Sequence, residues 1–313
     1  MHAALIKAWG DTPVWTVVPD LPAPTANQLH LRVLAAGLHR VVHSIANGAD
    51  APYSILPHTP GVDGVGLDEA TGTKYYFSTL GAGSFAEYVN VDKNATFPLA
   101  PDANHILVAG MMNPAACSWM ALKKRVNIGT QELPPDWSLL ILGATTMSGQ
   151  IASSIARHLG AKRIIGAARN SNALDRIPEL DERMPMRDEP SDGCFDQIGH
   201  VDVVLDYVSG PYPEAVIKAL QPQREIVYLH VSIMSGDEEF RVPTRFLRAK
   251  RVTIRGCGPG SWDPSELADE TMNMLEMFGS LKTDGFAITA KFSDIEDIWD
   301  DTSESQRRLV LVP

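Results

Sequence analysis

Leu139-Leu140-Ile141-Leu142-Gly143-Ala144-Thr145-Thr146-Met147-Ser148-Gly149, continued by residues Gln150 to Gly160 and by Arg163-Ile164-Ile165-Gly166-Ala167-Ala168-Arg169, decides the fold of this chain. It reads as a buried strand, a turn of small residues, a helix closed by Gly160 and a second strand ending on Arg169. That order is the first βαβ unit of a dinucleotide-binding domain, in which a helix N-terminus takes the pyrophosphate. One position departs from the glycine fingerprint. Where the backbone comes closest to the phosphates, the chain carries Thr146.

The residue ending the second strand selects the dinucleotide. An acidic side chain about 20 residues past the glycine motif reads the ribose 2′-hydroxyl, whereas a guanidinium suits a 2′-phosphate. Here that residue is Arg169, followed by Asn170 and Ser171, so the expected cofactor is NADPH; the alternative is that Arg169 is a solvated residue at a strand end. Gly143, Thr145, Thr146, Met147 and Ser148 are the expected phosphate contacts, with Arg169 and Asn170 on the 2′-phosphate. The β-branched Thr146 restricts the turn, although its hydroxyl could donate to a phosphate. Either the cofactor binds slightly displaced, or the site has decayed.

Outward from this unit, strands alternate with helices: Val201 to Asp206, a helix around Pro213 to Leu220, Glu225 to Leu229, a helix around Thr244 to Lys250, and Arg251 to Arg255. Such alternation means a mostly parallel sheet covered on both faces. Pro114 to Val126 has helical periodicity and ends in Lys123-Lys124-Arg125. Residues 1 to about 112 are β-rich. Gln28 to Ala36 reads as a half-buried strand, and Gly61, Gly64, Gly66, Gly72, Gly81 and Gly83 separate short strands, suggesting a small barrel. A last helix around Pro264 to Leu281, the acidic stretch Ser293 to Glu304 and a final strand Leu309 to Val312 close the chain.

At 313 residues the chain suggests two domains. With 44% hydrophobic and 21% charged residues it has a globular composition, and a net charge of -11 argues against a nucleic-acid or membrane-surface protein. Three distant cysteines (Cys117, Cys194, Cys257) imply no disulfide framework, and a reducing cytoplasm is the expected setting. The beginning reads as a strand rather than a signal peptide, and no apolar run is long enough to span a membrane.

Several short motifs occur in a recognisable order: Ala35-Ala36-Gly37-Leu38-His39, Pro57-His58-Thr59-Pro60-Gly61-Val62-Asp63-Gly64-Val65-Gly66, Gly83-Ser84-Phe85-Ala86-Glu87-Tyr88-Val89 and Arg308-Leu309-Val310-Leu311-Val312-Pro313. Together they resemble the zinc-independent, quinone-oxidoreductase-like branch of the medium-chain dehydrogenase/reductase superfamily. The resemblance implies an α/β protein: a GroES-like β-barrel catalytic domain (1–112 and 265–313) interrupted by a Rossmann domain with a doubly wound parallel sheet (113–264), and the cofactor in the cleft between them. It also implies a homodimer paired through the edge of the Rossmann sheet, with Arg251 to Arg255 as the edge strand.

By the same resemblance, His39, Arg40 and His43 of the Ala-Gly loop and Asn113 ahead of the linking helix are substrate-side candidates. His39, where the family usually carries asparagine, is the candidate proton donor; the alternative is a partly buried histidine bonded to backbone. Tyr207, His230, Val231 and Ser232 correspond to positions that line the nicotinamide cleft. Metal-dependent relatives carry Gly-His-Glu where this chain has Gly61-Val62-Asp63, which removes a ligand nitrogen that catalytic zinc requires. His39 and His43 have an i, i+4 spacing that could ligate zinc, but the residue following His39 is the cation Arg40. The expected activity is metal-free, NADPH-dependent reduction of quinones or α,β-unsaturated carbonyls. The alternative is an NADPH-binding sensor or interaction module with little turnover.

Overall fold

A computed structural model describes residues 1–48, 55–79, 83–127, 132–191, 193–236, 239, 242, 244–258, 260–280, 286–300 and 307–313. Gly81, Leu281 and positions 301–304 of the acidic stretch lie outside them. The chain divides into two compact units, Met1–Asn113 with Ala268–Pro313, and Pro114–Leu267. The boundaries expected from sequence are 112/113 and 264/265.

The first unit holds β1 (His2–Leu5), β2 (Val14–Val17), β3 (Gln28–Gly37), α1 (Arg40–Ala46), β4 (Asp63–Asp68), β5 (Thr73–Ser78), β6 (Tyr88–Asp92) and β7 (Thr96–Pro98). The helix α2 (His105–Met120) carries the chain across the unit boundary. In the second unit follow β8 (Ser138–Leu142), α3 (Met147–His158), β9 (Arg163–Ala168), α4 (Ser171–Leu174), β10 (Glu182–Pro185), β11 (Val203–Asp206), α5 (Tyr212–Ala219), β12 (Ile226–His230), α6 (Thr244–Ala249) and β13 (Val252–Gly256). α7 (Pro264–Ser280), β14 (Ala287–Lys291), α8 (Ile295–Ile298) and β15 (Arg308–Val312) return to the first unit.

The second unit is a six-stranded sheet in the order β10-β9-β8-β11-β12-β13, every ladder parallel. Numbered within the unit, that is 3-2-1-4-5-6, the doubly wound order whose direction reverses between β8 and β11. Ser138 to Leu142 are all buried, as a central strand covered on both faces requires. The helix α3 buries Met147, Ile151, Ala152, Ile155 and Ala156, a stripe at helical spacing. Leu140, Leu142, Ile165, Phe195, Val204, Ile217 and Tyr228 belong to a core beneath the sheet.

In the first unit β3 pairs with three strands. Its first half lies against β6, its middle against β4 with a register shift between Val33 and Ala35, and its end against β15. This forked strand curls the sheet around a core that includes Ile6, Leu31, Val33, Phe77, Phe85 and Phe292.

Two sequence expectations need correction. The linking helix begins at His105, nine residues before the expected Pro114, because Asn104 caps it: its Oδ1 accepts from the N–H groups of Ile106 and Leu107. Pro114 therefore sits inside the helix, where its missing N–H removes one rung, and the helix ends in a single π turn over Ala121–Arg125. The strand expected from Val201 begins at Val203, and β10 and β14 are additional strands.

Candidate functional site

The reversal point of the parallel sheet is built by the loops leaving β8 and β11 at their C-terminal ends. Gly143 opens the first loop with φ +85°, and a Cβ there would lie 3.1 Å from Val208 Cγ2 of the second loop. Gly149 permits the closest approach: a Cβ on it would lie 2.4 Å from the Gly143 carbonyl oxygen.

Thr146 is the N-cap of α3, in the extended conformation that a cap needs. Its hydroxyl donates to the Gly143 carbonyl at 2.8 Å and accepts from the Gly149 N–H at 3.0 Å. The hydroxyl expected to donate to a phosphate is thus engaged within the turn. The side chain closes the turn on itself and leaves the first two helical N–H groups, of Met147 and Ser148, at the helix N-terminus. The first turn of α3 carries no acidic residue. The Thr145 carbonyl accepts from Gln150 Nε2, which fixes the remainder of the loop.

Arg169 follows β9 directly, with its side chain 72% exposed and Nη1 3.0 Å from Asp188 Oδ1. Asn170 caps the short helix α4, its Oδ1 accepting from the Ala173 N–H.

Across the reversal point, Asp206 ends β11 and is fully buried. Its Oδ1 accepts from the N–H groups of Val208 and Ser209, and its Oδ2 from the Tyr228 hydroxyl at 2.9 Å. Ser209 has φ +65°, rare for a residue with a side chain. His230 stands opposite Asp206 in register, with Nδ1 3.5 Å from Oδ2. The Asp206 carbonyl accepts from the N–H groups of Val231 and Ser232. Asp206 thus organises the loops that follow β11 and β12, and no sequence pattern singles it out.

Tyr207 follows β11 directly, as expected, but turns its side chain inward. Its side chain is buried, with the hydroxyl 2.7 Å from Ser118 Oγ on α2, and burial pushes its pKa up despite that bond. The phenol is spent on an internal link, while the backbone N–H donates to the Leu142 carbonyl and the carbonyl accepts from the Met234 N–H.

In the first unit, His39 precedes α1 and is 1% exposed. Its Nε2 is 3.0 Å from Asp63 Oδ1, and the Tyr76 hydroxyl donates to Asp63 Oδ2 at 3.0 Å. Burial, then the Asp63 charge, raises the Tyr76 pKa well above its ordinary value. Among the described residues, His39 Nδ1 has no hydrogen-bond partner. The alternative of a partly buried histidine on backbone is therefore not what the fold builds. Gly37 makes room for the ring, since a Cβ there would lie 2.4 Å from His39 Cε1 and Nε2.

Arg40 is exposed at the first position of α1. His43, one turn on, packs its ring 4.3 Å from that of Trp299, and burial lowers its pKa. The two imidazoles of the i, i+4 pair thus have different partners. No group of three or more His, Cys, Asp or Glu is placed to hold a metal ion among the described residues. Asn113 is half-buried within α2, not ahead of it. No helix of the described residues is long and apolar enough to cross a membrane.

No family model matches the chain. It is 32% identical, over an alignment of 359 residues covering all of both chains, to a probable NADPH-dependent quinone reductase, tdiC, of Emericella nidulans. It is 29% identical to the quinone oxidoreductase of Rattus norvegicus over 182 residues, 54% of this chain and 53% of the rat protein. The quinone oxidoreductase of Thermus thermophilus, solved alone and with NADPH, superposes with a TM-score of 0.78 at 22% identity, covering all of both chains.

Proposed function

The chain belongs to the quinone-oxidoreductase-like branch of the medium-chain dehydrogenase/reductase superfamily, and we propose that it is an NADPH-dependent reductase of quinones that also accepts enones or enoyl groups. The observation that carries this reading is the turn between β8 and α3. It combines a glycine-tight loop, two helix-start N–H groups and, at the end of β9, an exposed guanidinium. These groups fit a dinucleotide that carries a 2′-phosphate.

Gly143, Thr145, Met147 and Ser148 would hold the pyrophosphate, with Thr146 shaping the turn. Arg169 and the Asn170 amide would hold the 2′-phosphate. The backbones of Tyr207, Val231 and Ser232, with the His230 ring, would border the nicotinamide. Bound there, NADPH supplies a hydride. A quinone that gains a hydride and one proton becomes a hydroquinone, so the contribution of the chain is orientation and that proton.

His39 is the proposed proton source. With Nε2 held against the Asp63 carboxylate, Nδ1 is the ring nitrogen that would pass a proton to the reduced oxygen. Arg40, His43 and Asn113 are its proposed substrate-side neighbours. We also propose a cytoplasmic homodimer paired through β13, which ends the six-strand order. Light scattering should then give twice 34.1 kDa, and a monomer mass would refute the pairing.

The test of function follows nicotinamide absorbance with NADPH and a panel of quinones and enones. Turnover of quinones supports the reading. Binding of NADPH without turnover of any acceptor would replace it with a sensor.

A further inference from the structure

We propose that Asp188 sets the dinucleotide preference together with Arg169, by competing with the 2′-phosphate for the same guanidinium. The proposal rests on the reading that the second unit binds NADPH at the β8–α3 turn.

Parallel pairing brings the two residues together. β10 lies beside β9 with Pro185 opposite Ala168, and the Met186 N–H donates to the Ala168 carbonyl at 2.8 Å. The chain leaving β10 therefore runs past Arg169. Two residues beyond Met186, Asp188 takes Arg169 Nη1 at 3.0 Å. The backbone there is pinned. Tyr212, buried at the start of α5, directs its hydroxyl to the carbonyls of Arg187 and, at 3.0 Å, Asp188.

Both charged side chains are open to water, at 72% and 88% exposure, and an exposed ion pair of this kind contributes little. A phosphate with nearly two negative charges can displace the carboxylate from the guanidinium. The carboxylate stays nearby, because Tyr212 holds the backbone that carries it and only the side chain can turn aside. Asp188 then acts in two directions. It repels the 2′-phosphate of NADPH, and it offers an acceptor to the ribose hydroxyls of NADH, the role of the acidic residue in NAD-selective sites. Arg169 alone would give strong NADPH selectivity, whereas the pair gives a moderated one.

The experiment measures direct binding of NADPH and NADH to the full chain by nicotinamide fluorescence, for the unsubstituted protein, Asp188→Asn and Arg169→Ala. At low ionic strength Asp188→Asn should tighten NADPH about three- to tenfold and leave NADH unchanged or weaker. The gain should shrink in high salt, as expected of exposed charges. Arg169→Ala should weaken NADPH by about 30-fold or more, because the carboxylate it leaves behind repels the phosphate. An NADPH-to-NADH ratio that stays within about twofold in Asp188→Asn overturns the proposal while leaving the NADPH reading intact. Failure of the unsubstituted protein to bind either cofactor overturns the NADPH reading itself, before any substitution is compared.

Discussion

Replacing Thr146 by alanine is the sharpest perturbation of the turn on which the second unit depends. The substitution deletes two bonds of one hydroxyl: the N-cap bond from the Gly149 N–H and the bond to the Gly143 carbonyl. Loss of an N-cap costs about 1 kcal/mol, and a second partly buried hydrogen bond adds about 1 kcal/mol. For a unit of roughly 150 residues, about 2 kcal/mol lowers Tm by about 4–8 °C. Thr146→Ser keeps the oxygen and should stay within about 2 °C of the parent. Thr146→Gly should fall between them, because glycine is a tolerable cap but restores neither bond. The assay is thermal unfolding by far-ultraviolet circular dichroism without cofactor, since bound ligand would add stability of its own. If alanine proves as stable as serine, or serine as unstable as alanine, the hydroxyl does not cap α3.

Four further substitutions probe the rest. Gly149→Val should abolish saturable NADPH binding, because a Cβ would lie 2.4 Å from the Gly143 carbonyl and the turn must open; unchanged affinity in a titration would refute that. His39→Gln should lower kcat by about 100-fold or more and Asp63→Asn by about tenfold. Both should leave the NADPH Kd within about twofold, so a loss of cofactor binding would reassign the pair to structure. At Asp202 burial raises the carboxyl pKa, but hydrogen bonds from Arg224 and Ser138 outweigh it and hold the group below its ordinary 3.8. A folded value depressed in this way gives stability that is complete above the ordinary value and drains away as pH falls through the folded one. Asp202→Asn should therefore cost about 3 kcal/mol in urea unfolding at neutral pH and much less in strong acid. Equal deficits at both would show that the charge is not what matters.

The second unit was legible because its signals are local. A parallel strand buried on both faces is an unbroken apolar run, and Leu139 to Leu142 is one. The start of the linking helix is hard to read because Pro114 suits a first helical position, and the asparagine cap ten residues earlier carries a weaker signal. β10 escapes notice because it is a short edge strand, half polar and half exposed. The site residues divide in the same way. Arg169 can be counted forward from a glycine, and Thr146 stands out as an exception to a pattern. Asp63 beneath His39, Asp188 beside Arg169 and Ser118 behind Tyr207 cannot be found that way, since each meets its partner only through tertiary packing.

On the proposed function, the β8–α3 turn and Arg169 hold NADPH for reduction of a quinone. The most direct test titrates the protein into NADPH and into NADH by fluorescence, then adds a quinone to the NADPH complex in a single turnover. Saturable NADPH binding is expected, with NADH weaker by about tenfold and loss of one bound NADPH for each quinone reduced. Equal affinity for the two cofactors would contradict the role of Arg169, and NADPH that persists in the complex after quinone is added would contradict the reaction.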